Sequence, residues 1–155
     1  MGNYRSLNNI HMDGTAVFQF VMAEVPPMID ALCAYAGMAK NAIQCHLTHQ
    51  PNRFMLQKLA DLMDVPHDML FNNIVENFGN SSSATIPVNI AFNLGRRLLT
   101  EKLRVCYSAF GAGLSLAACL DRLGPLDFCD LIEHPGQGAI EYYEPQTKAN
   151  EEELS

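Results

Sequence analysis

The strongest constraint on the fold is that segments with helical spacing alternate with short apolar runs of strand length. Apolar side chains recur at helical spacing in Gly14 to Val25 and again in Asn52 to Met63. Three further runs are short, apolar and bounded by polar or glycine residues: Ile43 to Thr48, Leu103 to Phe110 and Leu114 to Leu120. This alternation predicts an α/β domain in which a mixed sheet is layered with helices.

Turn and capping residues set the expected boundaries of the helices. Pro26-Pro27 predicts that the first helix is interrupted and that a second one restarts there, with Gly37 as the residue that closes it. Asn52 is a good N-cap for the helix that ends at Met63. The serines of the Asn77 to Ser83 cluster predict the N-cap of a helix from Ala84 to Leu99.

The distribution of charged residues along the chain separates a neutral part from an acidic C-terminal part, which the total net charge does not show. The formal net charge of the 155 residues is −7, yet the stretch from Met1 to Leu120 has equal numbers of basic and acidic residues. We therefore predict a lead-in over residues 1–12, a folded domain over 13–120 and an acidic extension over 121–155 with a disordered end. A nucleic-acid partner is disfavoured because no basic cluster is present to neutralise phosphates.

Cysteine usage and hydropathy predict a cytoplasmic protein that is not bound to a membrane. The five cysteines form an odd, widely spaced set, which is typical of reduced thiols rather than of a disulfide framework. The first nine residues are polar and contain no apolar core of a signal peptide. The nearly uncharged run from Ala109 to Leu120 is shorter than the ~20 residues that cross a bilayer.

Three polar segments each lie where a predicted strand or glycine turn meets a helix. Taken alone, each has a structural explanation as a strand end, a helix cap or a glycine turn. Because ligands bind at the carboxyl ends of strands in open α/β sheets, the three together predict a functional site that could polarise a carbonyl group. The segments are His49-Gln50-Pro51-Asn52, Gly79-Asn80-Ser81-Ser82 and Phe110-Gly111-Ala112-Gly113.

The same segments, in the same order, resemble the C-terminal half of a ketoacyl-acyl-carrier-protein synthase III, a member of the thiolase-like superfamily. The resemblance extends from about Ile10 to Leu120 and makes residues 13–120 a thiolase-like C-terminal domain. It rests on four motifs: Met12-Asp13-Gly14-Thr15-Ala16-Val17-Phe18, His49-Gln50-Pro51-Asn52, Phe78-Gly79-Asn80 through Ile86-Pro87, and Ala109-Phe110-Gly111-Ala112-Gly113.

The resemblance implies a decarboxylative Claisen condensation between an acyl thioester and a malonyl thioester. It implies that His49 and Asn80 are the catalytic pair, with a neutral His49 donating a hydrogen bond to the thioester carbonyl. It also implies that Asn52 lies near the pantetheine arm and that the Phe110–Gly113 turn, through the backbone at Ala112, contributes to the oxyanion hole. The implied partners are acyl-coenzyme A or acyl-carrier-protein thioesters and a dimer mate, and no cofactor is implied.

Departures from the family pattern limit what this chain can do by itself. The family's nucleophile is a cysteine at a helix N-terminus in the first half of the enzyme, and none of the five cysteines here has that context. We therefore expect a fragment or a split gene, inactive in isolation and dependent on the missing N-terminal half. The alternatives are a non-catalytic subunit that lends His49 and Asn80 to a separate cysteine-bearing chain, and a thiolase-like interaction domain without chemistry.

Three smaller departures concern metals, carrier docking and the acyl pocket. Cys45 and His46 are neighbours on a predicted strand and point to opposite faces, so a metal site with His49 is disfavoured. The helix after Asn52 carries Arg53 and Lys58 but also two aspartates, which weakens the basic surface that an acidic carrier would meet. The tryptophan usual after the final glycine turn is Leu116 here, a change expected to alter the acyl pocket.

Overall fold

A computed structural model of the chain describes residues 12–132. Residues 1–11 of the predicted lead-in and the end of the acidic extension, residues 133–155, lie outside the described residues. The described helices are α1 (Gly14–Tyr35), α2 (Arg53–Met63), α3 (Ile74–Phe78) and α4 (Thr85–Leu98). The strands are β1 (Cys45–Thr48), β2 (Leu103–Gly111) and β3 (Ser115–Leu123), and two single turns of 3₁₀ helix span Lys40–Ala42 and Ser82–Ala84.

The strands form a mixed sheet in the order β1-β2-β3, which confirms the predicted fold class. Strand β1 pairs in parallel with β2, so that Cys45 lies beside Val105. Strand β2 pairs antiparallel with β3 across the glycine-containing turn. All four residues of β1 are buried, as expected for a parallel strand that is covered on both faces.

Two hydrophobic clusters show how the helices are layered on the sheet. On one face, which we call the α1/α2 face, Val21 and Ile29 of α1 and Leu56 and Leu59 of α2 pack with Cys106 of β2. The opposite face, which we call the α4 face, is formed by a second set of buried residues: Cys45, Leu47, Leu94, Leu98, Leu103 and Val105. Because alternate strand residues point to opposite faces, the central strand β2 contributes to both clusters.

Helix α1 corrects one prediction, because it continues through Pro26 and Pro27 as a single helix. Two prolines remove two helical N–H donors, yet the buried stripe of Val21, Val25 and Ile29 runs unbroken across them. Burial of this stripe therefore outweighs the tendency of the two prolines to break the helix. The predicted end is confirmed: Gly37 adopts a φ of 61°, and the amide of Met38 donates to the carbonyl of Cys33 at 3.0 Å.

The helix that follows the serine cluster also begins differently from the prediction. The N-cap residue of α4 is Ala84, and no side chain makes a capping hydrogen bond there. The serines instead form the loop and 3₁₀ turn before α4, which places two of them in a cleft. By contrast, the capping role of Asn52 is confirmed, since its Oδ1 accepts a hydrogen bond from the amide of Met55 at 2.8 Å.

The chain continues to pack against the fold beyond Leu120. Strand β3 extends to Leu123, and the amide of Leu126 then donates to the carbonyl of Leu98 at the end of α4. Leu126 and Cys129 pack against the α4-face cluster. The first part of the acidic extension thus covers the C-terminal end of α4, and we call residues 124–132 the strap.

Helix α1 has the length and the mean hydropathy, 1.4, of a membrane-spanning helix. It is longer than the apolar Ala109–Leu120 run. It also carries Glu24 and Asp30, and its four buried side chains pack into the α1/α2 cluster. Core helices of ordinary domains meet the same length and hydropathy test, so α1 is weak evidence for a membrane protein.

Candidate active site

A cleft of about 450 Å³ opens where the end of β1, the start of α4 and the β2–β3 hairpin meet. We call it the His49 cleft. One wall carries hydroxyl groups and the other is apolar, so it suits a ligand with a polar head and an apolar chain. Its lining residues are His49, Ser82, Ser83, Thr85, Ile86, Ala109, Phe110, Gly111, Ser115, Leu116 and Ala117.

His49 is fixed in this cleft by contacts on three sides. Its backbone N–H donates to the carbonyl of Ser108 at 2.9 Å, which continues the pairing of β1 with β2. Its ring meets Phe110 edge to face, with the ring centroids 5.4 Å apart. Its Nδ1 lies 2.7 Å from Oγ1 of Thr85. These contacts leave Nε2 as the ring nitrogen available to a ligand.

The protonation of His49 follows from its half-buried position. Burial lowers the pKa of His49 below its usual value because the imidazolium loses hydration, and a backbone hydrogen bond at Ser82 opposes that shift. The imidazole is therefore neutral at pH 7. A neutral ring can either donate or accept at Nε2, and the tautomer decides which.

Asn80, the other predicted catalytic residue, lies in the loop beside the cleft rather than in its lining. Its side chain is exposed, and its Oδ1 accepts a hydrogen bond from the amide of Ser82 at 3.0 Å. Asn80 is two positions before Ser82 in the sequence, and Ser82 lines the cleft. Its Nδ2 has no hydrogen-bond partner among residues 12–132 and could serve a ligand.

The remaining predicted residues divide between the cleft and its surroundings. Phe110 and Gly111 line the cleft at the end of β2. Ala112 and Gly113 form the turn beyond it, where the hydroxyl of Ser115 donates to the carbonyl of Ala112 at 3.2 Å. Gly113 has a φ of 138°, a conformation that favours glycine. Asn52 caps α2 and is outside the lining.

Sequence reasoning included Ser82 in a predicted functional segment but missed Ser83 and Thr85, which complete the hydroxyl-bearing wall of the cleft. Thr85 is fully buried and contacts His49, although a threonine at a helix start gives no sign of such a role. Ser82 and Ser83 were expected to cap a helix and instead face the cleft. Ser82 adopts a φ of 54°, a strained value for a residue other than glycine that is often found at functional sites.

Four of the five thiols among the described residues are poor nucleophiles, because burial disfavours their thiolate form. No cysteine lines the His49 cleft. Burial raises the pKa of Cys33, Cys45 and Cys129, and it raises the pKa of Cys106 to about 12. Cys119 is exposed on β3, and all five cysteines are free.

A mixed sheet with helices on both faces, and a histidine at the strand end facing a glycine turn, define a thiolase-like domain. A family model described as "3-Oxoacyl-[acyl-carrier-protein (ACP)] synthase III C terminal" matches residues 33–123. The chain belongs to this family.

Curated relatives support the same assignment. Beta-ketoacyl-[acyl-carrier-protein] synthase III of Synechococcus elongatus is 34% identical over 74% of this chain and 34% of its own length. The enzyme of the same name from Streptococcus pyogenes serotype M5 is 33% identical over 77% of this chain and 37% of its own length. The chain thus spans about a third of the length of these relatives.

Solved structures agree with the fold. The 3-oxoacyl-(acyl-carrier protein) synthase of Burkholderia xenovorans superposes with a TM-score of 0.75 at 36% identity, covering 79% of this chain and 35% of that one. A priming β-ketosynthase from the R1128 polyketide biosynthetic pathway superposes with a TM-score of 0.61 at 29% identity, covering 74% and 34% respectively.

Proposed function

We propose that this chain is the C-terminal catalytic half of a ketoacyl synthase III-type condensing enzyme. The reaction is the decarboxylative Claisen condensation of an acyl thioester with a malonyl thioester, in fatty acid or related biosynthesis. The observation that carries the proposal is the His49 cleft, in which a family histidine meets the glycine turn and the start of α4. The active protein requires an N-terminal half that supplies the nucleophilic cysteine, and we propose a cytoplasmic dimer.

In this proposal His49 and Asn80 hold the carbonyl oxygen of the malonyl thioester. Loss of carbon dioxide leaves an electron pair that becomes an enolate, and polar groups near the oxygen stabilise its charge. His49 must make this contact through Nε2, because Nδ1 is occupied by Thr85. Asn80 would make it through Nδ2, because its Oδ1 holds the amide of Ser82. Backbone groups of the Phe110–Gly113 turn complete the polar surroundings.

The apolar wall is assigned to the acyl thioester. Ile86, Phe110 and Leu116 line this side of the cleft, and Leu116 occupies the position where the family usually has tryptophan. A leucine leaves more room than an indole, so the pocket should accept a bulkier group at that point. Asn52 would meet the pantetheine arm through Nδ2, since its Oδ1 is committed to the cap of α2.

The partners we propose are acyl-coenzyme A or acyl-carrier-protein thioesters, and the surface of α2 is nearly neutral where an acidic carrier would dock. Arg53 forms an ion pair with Glu76, and Lys58 lies 3.4 Å from Asp61. These neighbours neutralise the two basic residues that α2 would present to an acidic carrier. Exposed ion pairs are weak and salt-dependent, so a strongly acidic partner could still displace them.

The experiment is to join this chain to the N-terminal half of the Streptococcus pyogenes relative and to assay acyl and malonyl thioesters. We expect turnover by the joined protein and none by the isolated chain. His49→Ala should lower kcat about 10²-fold to 10³-fold, the cost of losing one oxyanion contact. His67→Ala is the matched control because His67 is an exposed histidine paired with Asp61. Full activity of His49→Ala, or turnover by the isolated chain, would contradict the proposal.

A second candidate is a non-catalytic subunit or interaction domain that partners a separate cysteine-bearing chain. The observation that favours it is the set of partly exposed apolar side chains around α4 and the strap: Phe78, Phe92, Leu99, Phe128 and Ile132. Both candidates need a partner for this surface. A stable complex that forms with a separate full N-terminal half but remains inactive would favour the subunit over the catalytic half.

A further inference from the structure

Four amide side chains join the end of β1 to the segments that carry α3 and α4. Gln50 and Asn89 are fully buried, and Asn73 and Asn93 are partly buried. Amides in such positions need hydrogen-bond partners, and these four find most of theirs across separate segments of the chain. We call the set of Gln50, Asn73, Asn89 and Asn93 the amide frame.

Gln50 connects the end of β1 to two other segments. Its Nε2 donates to the carbonyl of Thr48 at 3.1 Å and to the carbonyl of Phe71 at 2.8 Å. Its backbone amide donates to Oγ1 of Thr85 at 3.3 Å, which ties the residue after His49 to the first residue of α4. The loop before α3 and the start of α4 are thus both held at the end of β1.

Asn93 holds the start of α3 against α4. Asn73, the N-cap residue of α3, forms a reciprocal pair of amide hydrogen bonds with Asn93, at 2.8 and 2.9 Å. Nδ2 of Asn93 also donates to Oδ1 of Asn89 at 2.8 Å, one turn earlier on α4. The other end of α3 is fixed as well, since Phe78 meets Phe92 edge to face with the ring centroids 5.2 Å apart. Helix α3 therefore has a defined position on α4.

Asn80 lies between these anchored elements, in the segment 79–84 that joins α3 to α4. The amide frame holds both ends of this segment relative to the strand end that carries His49. It does so at a cost, because Oε1 of Gln50 and Nδ2 of Asn89 are buried without a partner among residues 12–132. Apolar side chains would avoid that cost, which indicates that the amides serve to fix positions rather than to add stability.

We infer that the amide frame positions Asn80 relative to His49, so that both side chains can reach one ligand in the His49 cleft. Its members are positioning residues, because none of them lines the cleft. The inference rests on the proposed function for the roles of Asn80 and His49. It deepens that function by assigning their spacing to side chains outside the cleft, where a displacement of about 1 Å can cost much of the rate.

Substitution of Asn93 tests the frame at its centre, because Asn93→Ala removes three hydrogen bonds. Relaxation of ¹⁵N nuclei in the full chain measures the mobility of the segment 79–84 without substrate or turnover. We expect its backbone order parameters to fall from about 0.85 to below about 0.6, while those of β2 stay unchanged. Asn77→Ala is the matched control, because Asn77 is exposed on α3 and its side-chain hydrogen bond, to the carbonyl of Asn73, is local to that helix.

In the joined enzyme a positioning role has its own kinetic signature. Asn93→Ala should lower kcat about 10-fold to 10²-fold with KM changed less than about twofold, because the frame touches no substrate. In an Asn80→Ala background the same substitution should lower kcat no further, because the frame acts through Asn80. A general loss of stability would instead lower activity alike in both backgrounds.

Unchanged order parameters of the segment 79–84 in Asn93→Ala would overturn the inference, and so would an equal loss of kcat in the Asn80→Ala background. If Asn93→Ala does not fold, Asn93→Asp decides, since it keeps the shape of the side chain and removes both donated hydrogens. An inactive joined enzyme would contradict the proposed function, and the relaxation measurement would still decide whether the frame holds the segment.

Discussion

The two faces of the sheet differ in how completely they are covered. On the α1/α2 face two helices lie side by side, and Leu56, Leu59 and Ile29 are fully buried. On the α4 face one helix and the strap cover the strands, and Phe92 and Phe128 remain 42% and 63% exposed. Both layers keep exposed apolar side chains on their outer surfaces, Phe54 and Leu62 on α2 being 59% and 56% exposed, so the difference lies in how deeply the interior of each face is covered.

Under the proposed function, the outer surface of the α4 face is where we expect the rest of a thiolase-like protein to pack. The chain spans about a third of the length of its relatives, and apolar surface of this kind marks an interaction site. The strap, which follows the last residue matched by the family model, occupies part of that side. Substitutions on the two faces should therefore have different effects. Those in the α1/α2 core should mainly lower the free energy of unfolding, and those on the outer surface of the α4 face should mainly weaken binding of a partner.

The largest effect is expected on the α1/α2 face. Leu59→Ala should lower the free energy of unfolding by about 3 kcal/mol, because a fully buried leucine leaves a cavity among α1, α2 and the sheet. Urea denaturation followed by circular dichroism measures this change. Leu62→Ala on the exposed side of the same helix is the matched control, since Leu62 is 56% exposed. Equal losses in the two variants would show that the interior of the α1/α2 face is not deeply covered.

The second prediction concerns acid. Burial lowers the pKa of His46 to about 4, and the nearby Lys40 adds to the shift. Between pH 6.5 and 4 the unfolded chain binds a proton that the folded chain excludes, so stability falls as the pH falls. The loss should approach ~3 kcal/mol at pH 4. His46→Leu should flatten this part of the pH profile, whereas the exposed His67→Asn should not.

A smaller effect is expected where the strap crosses α4. A Cβ atom on Gly95 would lie 2.6 Å from the carbonyl oxygen of Cys129, so Gly95→Ala must push the strap outwards. We expect a loss of about 1–2 kcal/mol and greater exposure of Leu126 to solvent. Gly14→Ala is the control, because no atom lies within 4 Å of its Cβ position. Unchanged protection of the strap amides in hydrogen exchange would contradict the packing described.

The smallest effect on stability is expected at the outer surface of the α4 face. Phe128→Ser should change the free energy of unfolding by less than about 0.5 kcal/mol, because its side chain is mostly in water already. The same change should weaken self-association or binding of an N-terminal half. Sedimentation velocity compares the variants with the unchanged chain. A large loss of stability without any change in association would contradict the assignment of Phe128 to a surface that binds a partner.

The parts of the fold that sequence reasoning predicted correctly depend on local chemistry. Asn52 and Gly37 act within one turn of their own positions. The strands lie on the predicted apolar runs, but β3 continues past Leu120 to Leu123 because it pairs with β2 there. The continuity of α1 was not predictable, because packing with residues more than 20 positions away outweighs its two prolines. Local preference decides an element only where no tertiary contact opposes it.

The candidate site divides in the same way. His49, Phe110 and Gly111 were found because their residue types match family motifs, and they do line one cleft. Thr85 was missed because its contact with His49 joins residues 36 positions apart, and threonine is common at helix starts. The catalytic role of Asn80 beside His49 stays a prediction.

The prolines of α1 also have a consequence for the order of folding. Each proline inside a helix costs about 3 kcal/mol, so the segment has little tendency to be helical before it meets its partners. Helix α1 should therefore appear only as the α1/α2 layer assembles, late and together with α2. The helical content of α1 during folding should therefore indicate whether α1 and α2 have packed together.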